Sequence, residues 1–145
     1  MRSTLLLLLS AVLVFGQAVE RLAREGDQWV RTESRTLEAP SEGLLRAAAP
    51  CAIEVRGSAR EGIRYYFKTS IRTWAEADAR RLPSGAAVRA RSEGGWLSLA
   101  VVPPPRDRVS CELRLEVPRG LREVALAARA DAVSAAGLDG NVDLE

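Results

Sequence analysis

The residues whose chemistry can be argued most directly are Cys51 and Cys111, which are the only two cysteines in the chain. Both occupy inward positions of segments in which apolar and polar residues alternate. An even number of cysteines in an exported chain fits one disulfide. Because Cys also packs well as a small apolar residue, two separate buried thiols are the alternative. The sequence therefore makes Cys51–Cys111 a candidate bridge, with a stabilising role and no redox role.

The sequence contains no comparable signal for catalysis, cofactor binding or metal binding. The chain has no His, so neither a Ser-His-Asp nor a Cys-His arrangement can form. Two cysteines without close spacing do not indicate a zinc site, and no glycine-rich phosphate-binding motif is present. Carboxylate pairs such as Asp139 and Asp143 are ordinary in turns. We therefore expect no enzymatic activity, no catalytic residues, no cofactor and no metal site.

Residues 1–18 have the three parts of a secretory signal peptide. Arg2 gives a basic start, Leu5 to Phe15 form a nearly continuous apolar run, and Gly16-Gln17-Ala18 place small residues before a cleavage point. The run is shorter than the roughly 20 residues that a spanning helix needs. We expect cleavage between Ala18 and Val19, and a protein that is periplasmic, surface-located or extracellular.

The charge balance bears on possible partners. The chain has 21 basic and 19 acidic residues, a net charge of +2. Every basic residue except Lys68 is Arg, and these Arg residues are interspersed with Asp and Glu, as on a solvated surface. A nearly neutral surface gives no reason to expect nucleic acid as a partner. After the signal peptide no segment is apolar enough for a stable membrane span.

The elements that must position these residues are mostly strands. Residues 19–35 are mixed in character and are predicted to be a lead-in segment, with a weak strand signal from Trp29 to Glu38. A two-residue apolar period then predicts strands in several later segments. The clearest inward-facing sets are Cys51, Ile53 and Val55; Ile63, Tyr65, Phe67, Thr69 and Ile71; Leu97, Leu99 and Val101; and Val109, Cys111, Leu113, Leu115 and Val117.

One short helix is predicted near residues 74–82. Thr73 with Glu76 three residues later has the form of a capping box, and Pro83-Ser84-Gly85 stops the helix. Trp74 would cover one face of the sheets as a structural lid. The alternative is that Trp74, with Trp96, forms an aromatic platform for a ligand.

The C-terminal part repeats every nine residues. Two series of residues fall in register, namely Val124, Val133 and Val142, and Leu126, Ala135 and Leu144. Such short strands bury little alone, so they need to stack on one another to form a core. A step of nine residues fits one side of a coil in a β-solenoid. The alternative is chance similarity within a tail rich in Ala and Val.

Residues 36–145 resemble the putative-adhesin, or toastrack-type, β-solenoid domains of bacterial envelope proteins. The segments that carry the resemblance are SEGLLRAAAPCAIEVRG, RTWAEADARRL, ELRLEVPRGL and VSAAGLDGNVDLE. The chain departs from the family at Ala49-Pro50-Cys51 and at Ala130 and Ala132, where the family favours Gly. The resemblance implies an all-β, β-helix-like solenoid with the one short helix inserted.

The repeat stops within a unit at Glu145, without a cap, whereas members of this family continue through further coils. We therefore expect that the native chain continues, or that a partner covers this end. Residues 19–145 alone are expected to self-associate through the uncapped coil or to be partly unfolded at the C-terminus.

The family resemblance and the signal peptide together suggest a function. They favour an exported, non-enzymatic module for surface binding or scaffolding, whose partner is a protein or another component of the envelope surface. The alternative is an envelope-stress sensory or regulatory module that acts by protein contact. A glycan-processing enzyme is a third hypothesis.

Overall fold

The computed structural model describes residues 18–73, 75–81, 86–103, 109–128 and 132–145. These residues form eleven strands and one helix. In chain order the elements are β1 (Val19–Glu25), β2 (Gln28–Leu37), β3 (Leu44–Ala49), β4 (Ala52–Ser58), β5 (Ile63–Ile71), α1 (Glu76–Arg81), β6 (Ala87–Glu93), β7 (Trp96–Val102), β8 (Val109–Pro118), β9 (Glu123–Ala128), β10 (Val133–Ala136) and β11 (Asn141–Leu144). The expectation of an all-β protein with one short helix is confirmed.

The strands form two mixed sheets. Sheet A has the order β1-β2-β5-β8-β4-β10, and sheet B has the order β11-β9-β3-β7-β6. Pairing is antiparallel from β1 to β8 in sheet A and parallel from β8 to β10. In sheet B only β6 is antiparallel to its neighbour. Consecutive strands therefore often lie in different sheets, as in β3 to β4, β7 to β8, and β9 to β10 to β11.

The alternating apolar residues of both sheets face each other and form one core. In β5 every second residue from Ile63 to Ile71 is buried, and Leu113, Leu115 and Val117 of β8 are fully buried. Sheet B contributes Leu45, Leu97, Leu99, Val124 and Leu126. Burial of each such side chain stabilises the folded protein by about 1.5–3 kcal/mol. The predicted inward-facing sets are buried, except that Val109 and Cys111 are only half-buried.

The nine-residue repeat corresponds to a regular crossing between the two sheets. Val142 pairs with Val124 in sheet B, whereas Val133 lies beside Ile53 in sheet A. Two steps of nine residues thus return the chain to the same sheet, one strand further along. Within this last part Val142 is 40% exposed and Leu144 is 48% exposed, since β11 lies at the edge of sheet B.

The turns at one end of the strands also stack on each other through backbone hydrogen bonds. The N–H of Arg122 donates to the carbonyl of Gly43 at 2.8 Å, and the N–H of Asn141 donates to the carbonyl of Arg122 at 3.1 Å. A Cβ at Gly140 would lie 2.0 Å from the Leu121 carbonyl oxygen. Glycine is therefore required there because the backbone of the neighbouring turn approaches so closely.

The segment expected as a lead-in forms β1 and most of β2. Hydrogen bonds join β2 to β5 from Trp29 to Leu37, in agreement with the weak strand signal from Trp29 to Glu38. On the face that β2 shares with the buried side chains of β5, Glu33 accepts a hydrogen bond of 3.0 Å from the Tyr65 hydroxyl. The expected signal peptide, residues 1–18, lies outside the described residues except for Ala18.

The helix begins later than predicted. The carbonyl of Ala75 accepts the first helical hydrogen bond, from Ala79, and the helix covers Glu76 to Arg81. The Thr73 hydroxyl accepts the N–H of Ala75 at 3.4 Å, so it belongs to the turn before the helix. The predicted capping box with Glu76 is therefore wrong in register, because the helix cap lies at Ala75. Trp74 lies outside the described residues.

Candidate functional site

The two cysteines predicted as a candidate bridge lie side by side in sheet A. Ala52 of β4 pairs with Glu112 of β8, which places the preceding residues, Cys51 and Cys111, next to each other. They form a disulfide with a Cα–Cα distance of 5.5 Å, well within the range that a disulfide can span. The bridge joins two parallel strands that are distant in sequence, and Cys51 is buried. Its position is that of a structural cross-link.

The expected cleavage point lies at the start of sheet A. Val19 is the first residue of β1, at the edge of that sheet, and it is 64% exposed. Ala18 precedes it as the first described residue.

A groove lined by alanines runs across the outer face of sheet B. Ala48 of β3 pairs with Ala100 of β7 and with Ala127 of β9, so these three residues form one row across the sheet. Ala125 stands in the next row, beside Arg46. Two adjoining cavities of about 300 and 480 Å³ lie over these residues. We call this surface, defined by Ala48, Ala100, Ala125 and Ala127, the alanine groove.

Charged and aromatic side chains border the alanine groove. The guanidinium of Arg46 lies 4.7 Å from the centre of the Trp96 ring, a cation–π contact. Asp143 and Glu145 line the groove on the side of β11. On the opposite side, Arg89 pairs with Ala100 and therefore shares its face. The groove thus has an acidic border at one edge of the sheet and a basic border towards the other.

The outer face of sheet A has a different composition. The outward residues of β4, β5 and β8 carry charges of both signs, joined by ion pairs such as Arg114–Glu54 at 3.3 Å and Lys68–Glu25 at 3.7 Å. Exposed pairs of this kind each contribute about 0–1 kcal/mol. The outer face of sheet A is therefore mainly polar and charged, whereas that of sheet B has an apolar floor with charged borders.

The buried hydroxyl of Tyr65, which lies between the sheets, has a structural role. Tyr65 is 1% exposed, and its burial together with the hydrogen bond to Glu33 raises its pKa to about 12. A neutral, buried phenol has no access to a substrate. In the part of the chain that the structure describes, no three His, Cys, Asp or Glu side chains are grouped so as to hold a metal ion. No helix among those residues is long and apolar enough to cross a bilayer.

Sequence reasoning missed the alanine groove. Its signal lay in the outward positions of LLRAAA, WLSLAVV and EVALAA, which carry Ala where a solvated strand normally has polar residues. Trp96, considered as part of an aromatic platform, does lie on this face, but its ring is stacked against Arg46.

The fold is similar to that of a solved structure. It is the crystal structure of a putative cell adhesion protein from Clostridium sporogenes, with a TM-score of 0.51 and 9% sequence identity. The match covers 79% of this chain and 56% of that protein, so this chain spans little more than half of its length. No protein-family profile and no curated protein sequence matches the chain.

Proposed function

We propose that this protein is an exported, non-enzymatic module of the bacterial envelope that binds another envelope protein through the alanine groove. The observation that carries the proposal is the apolar floor of this groove on an outer, solvent-facing side of a sheet. Strands normally place polar residues on such a face. Apolar outer surfaces bordered by polar residues are characteristic of interaction sites.

The framework of the module is best described as a toastrack-type β-solenoid. Three features support this description: the alternation of consecutive strands between two sheets, the parallel pairing of β7, β3, β9 and β11, and the stacked turns. Such a framework is rigid along its sheets, which suits a scaffold or a binding surface. The fold that this chain shares with the Clostridium protein is in keeping with a role at the cell surface.

The charges around the groove indicate the chemistry of the partner. Ala48, Ala100 and Ala127 have short side chains, so an extended polypeptide can approach the sheet closely. Asp143 and Glu145 favour basic residues at one end of that segment, and Arg89 of β6 favours an acidic residue at the other. The occupant is therefore an extended segment of another envelope protein, apolar in its centre and of opposite charge at its two ends.

Site-specific photo-crosslinking in the producing cells tests the proposal. A photoreactive residue at Ala100, in the groove, should form an adduct with a different envelope protein, whereas one at Arg56, on the outer face of sheet A, should not. Once identified, the partner should bind the purified protein, and Ala127→Arg should weaken binding about tenfold or more, which corresponds to about 1.4 kcal/mol.

Two results would overturn the proposal. One is an adduct at Ala100 that contains only a second copy of this chain, since the groove would then be a self-association surface. The other is partner binding that Ala127→Arg leaves unchanged, provided that the variant has the circular dichroism spectrum and unfolding midpoint of the parent protein.

A further inference from the structure

A second depression lies on the outer face of sheet A, around Tyr66. It measures about 350 Å³, and its walls come from β1, β2, β5 and β8. The lining residues that matter here are Thr32, Tyr66, Lys68, Glu112, Arg114 and Glu116. The volume lies at the lower end of the range for sites that bind small ligands.

The depression stands on a rigid base. Tyr66 alternates along β5 with Tyr65 and Phe67, which are buried at 1% and 3% exposure. Beside it in β8, Arg114 lies between Leu113 and Leu115, both fully buried. These buried neighbours fix the backbone from the core side, so the positions from which the outward side chains project are set before any ligand arrives.

Tyr66 offers an aromatic surface to the depression. The guanidinium of Arg64 lies 5.0 Å from the centre of its ring. Arg64 does not line the depression, whereas Tyr66 does. Arg64 therefore covers one face of the ring, and Tyr66 also contributes to the wall of the depression.

The polar groups around the ring are held only loosely. Lys68 is 3.7 Å from Glu25 and Arg114 is 3.7 Å from Glu112, with all four side chains at least 41% exposed. Arg114 also pairs at 3.3 Å with Glu54, which lies outside the lining of the depression and can keep this contact when a ligand binds. Ion pairs this long and this exposed contribute little to stability. A ligand that supplies its own hydrogen-bonding groups can therefore replace them at small cost.

We propose that the Tyr66 depression binds a neutral oligosaccharide. The C–H face of a sugar ring would stack on Tyr66, while its hydroxyl groups would donate to Glu112 and Glu116 and accept from Lys68 and Arg114. The lining carries charges of both signs, with the carboxylates of Glu25, Glu112 and Glu116 beside the cations of Lys68 and Arg114. This near balance favours a neutral ligand over an ionic one. The site lies on the opposite sheet from the alanine groove and does not depend on it.

Titration with cellotetraose, maltotetraose and N-acetylchitotetraose tests the proposal. Followed by NMR, at least one of the three should bind with a Kd of about 1 mM or tighter, with shifts concentrated on β5 and β8. Tyr66→Ala should weaken binding about tenfold or more, whereas Tyr66→Phe keeps the ring and should retain most of the affinity. Arg60→Ala, at an exposed position in the loop after β4, is the control and should not change it.

The salt dependence separates a neutral ligand from a charged one. Raising the ionic strength roughly tenfold, to about 0.5 M, should change the Kd less than about twofold. The proposal is overturned if none of the three saccharides binds at about 10 mM, or if Tyr66→Ala binds as well as the parent. It is also overturned if affinity falls steeply with salt and an acidic oligosaccharide binds better.

Discussion

Cleavage of the Cys51–Cys111 disulfide should destabilise the protein strongly. The bridge connects residues separated by 60 positions, and it lies between β4 and β8, which form part of the centre of sheet A. Reduction keeps every non-hydrogen atom of both side chains and adds one hydrogen to each sulfur, so the loss of the covalent link is the main change. The comparison of oxidised with reduced protein therefore isolates the contribution of the link from that of cysteine packing.

The expected magnitude comes from the chain entropy of the unfolded state. For a closed loop of about 60 residues, the entropy relation gives about 4 kcal/mol at 25 °C, and strain in the folded state lowers this value. A single domain is typically stable by about 5–15 kcal/mol. The loss of the link therefore removes a substantial part of the total and should lower the denaturant midpoint clearly.

Denaturant unfolding with and without reductant measures this difference. The control is the double variant Cys51→Ala with Cys111→Ala, whose midpoint should not respond to reductant. Before reduction, mass spectrometry of the native protein should recover a linked peptide pair that contains both cysteines. The reasoning fails if both thiols are freely alkylated in the unreduced protein, or if reduction changes the free energy of unfolding by less than about 0.5 kcal/mol.

Three further predictions concern the core, the stacked turns and the N-terminus. Because Tyr65 has a pKa raised from 10.0 to about 12, the stability that its neutral form provides is complete below pH 10.0 and is lost as the pH rises through about 12. The free energy of unfolding should fall by about 2–3 kcal/mol over this range. Tyr65→Phe should remove this pH dependence. An equal dependence in the variant would contradict its assignment to Tyr65. Gly140→Ala should cost about 1–3 kcal/mol because its Cβ would meet the Leu121 carbonyl, whereas Gly120→Ala, with open space around its Cβ, should change unfolding by less than about 0.5 kcal/mol. Exported protein should begin at or near Val19 by N-terminal sequencing, and an exported chain that retains Met1 would contradict the signal peptide.

The strands with the clearest alternation could be predicted from the sequence. In β5 the residues predicted to face inward, from Ile63 to Ile71, are each at most 3% exposed. The pattern is informative there because one face of the strand is in the core and the other is in solvent. In β2 the same reasoning gave only a weak signal. Arg31 and Glu33 share the face of Thr69 and Phe67, so the strand has no regular apolar period and is held by its pairing with β1 and β5.

The order of the strands could not be predicted in the same way. A two-residue period identifies a strand and its buried face, but it carries no information about which strand lies beside it. The pairing of β3 with β7 joins residues about fifty positions apart, with β4, β5, α1 and β6 between them in the chain. The two cysteines were the one feature of the sequence that indicated a contact between distant segments. A disulfide between Cys51 and Cys111 requires β4 and β8 to be adjacent, and the structure places these strands side by side.

The two outer faces show why the candidate sites were harder to find than the core. Inward positions must carry apolar residues to form the core, and this requirement is the same for both sheets. Outward positions are exposed to water and tolerate almost any polar residue. From the sequence alone, the charged surface of sheet A, including Tyr66, therefore cannot be distinguished from an ordinary solvated face. On sheet B the same positions carry Ala48, Ala100 and Ala127, which gain little from solvent exposure and form no part of the core. Folding alone does not require alanine at three paired positions of one outer row. That asymmetry between two faces of the same framework is the reason for proposing that sheet B binds a protein. It became visible only when the register placed the three residues in one row.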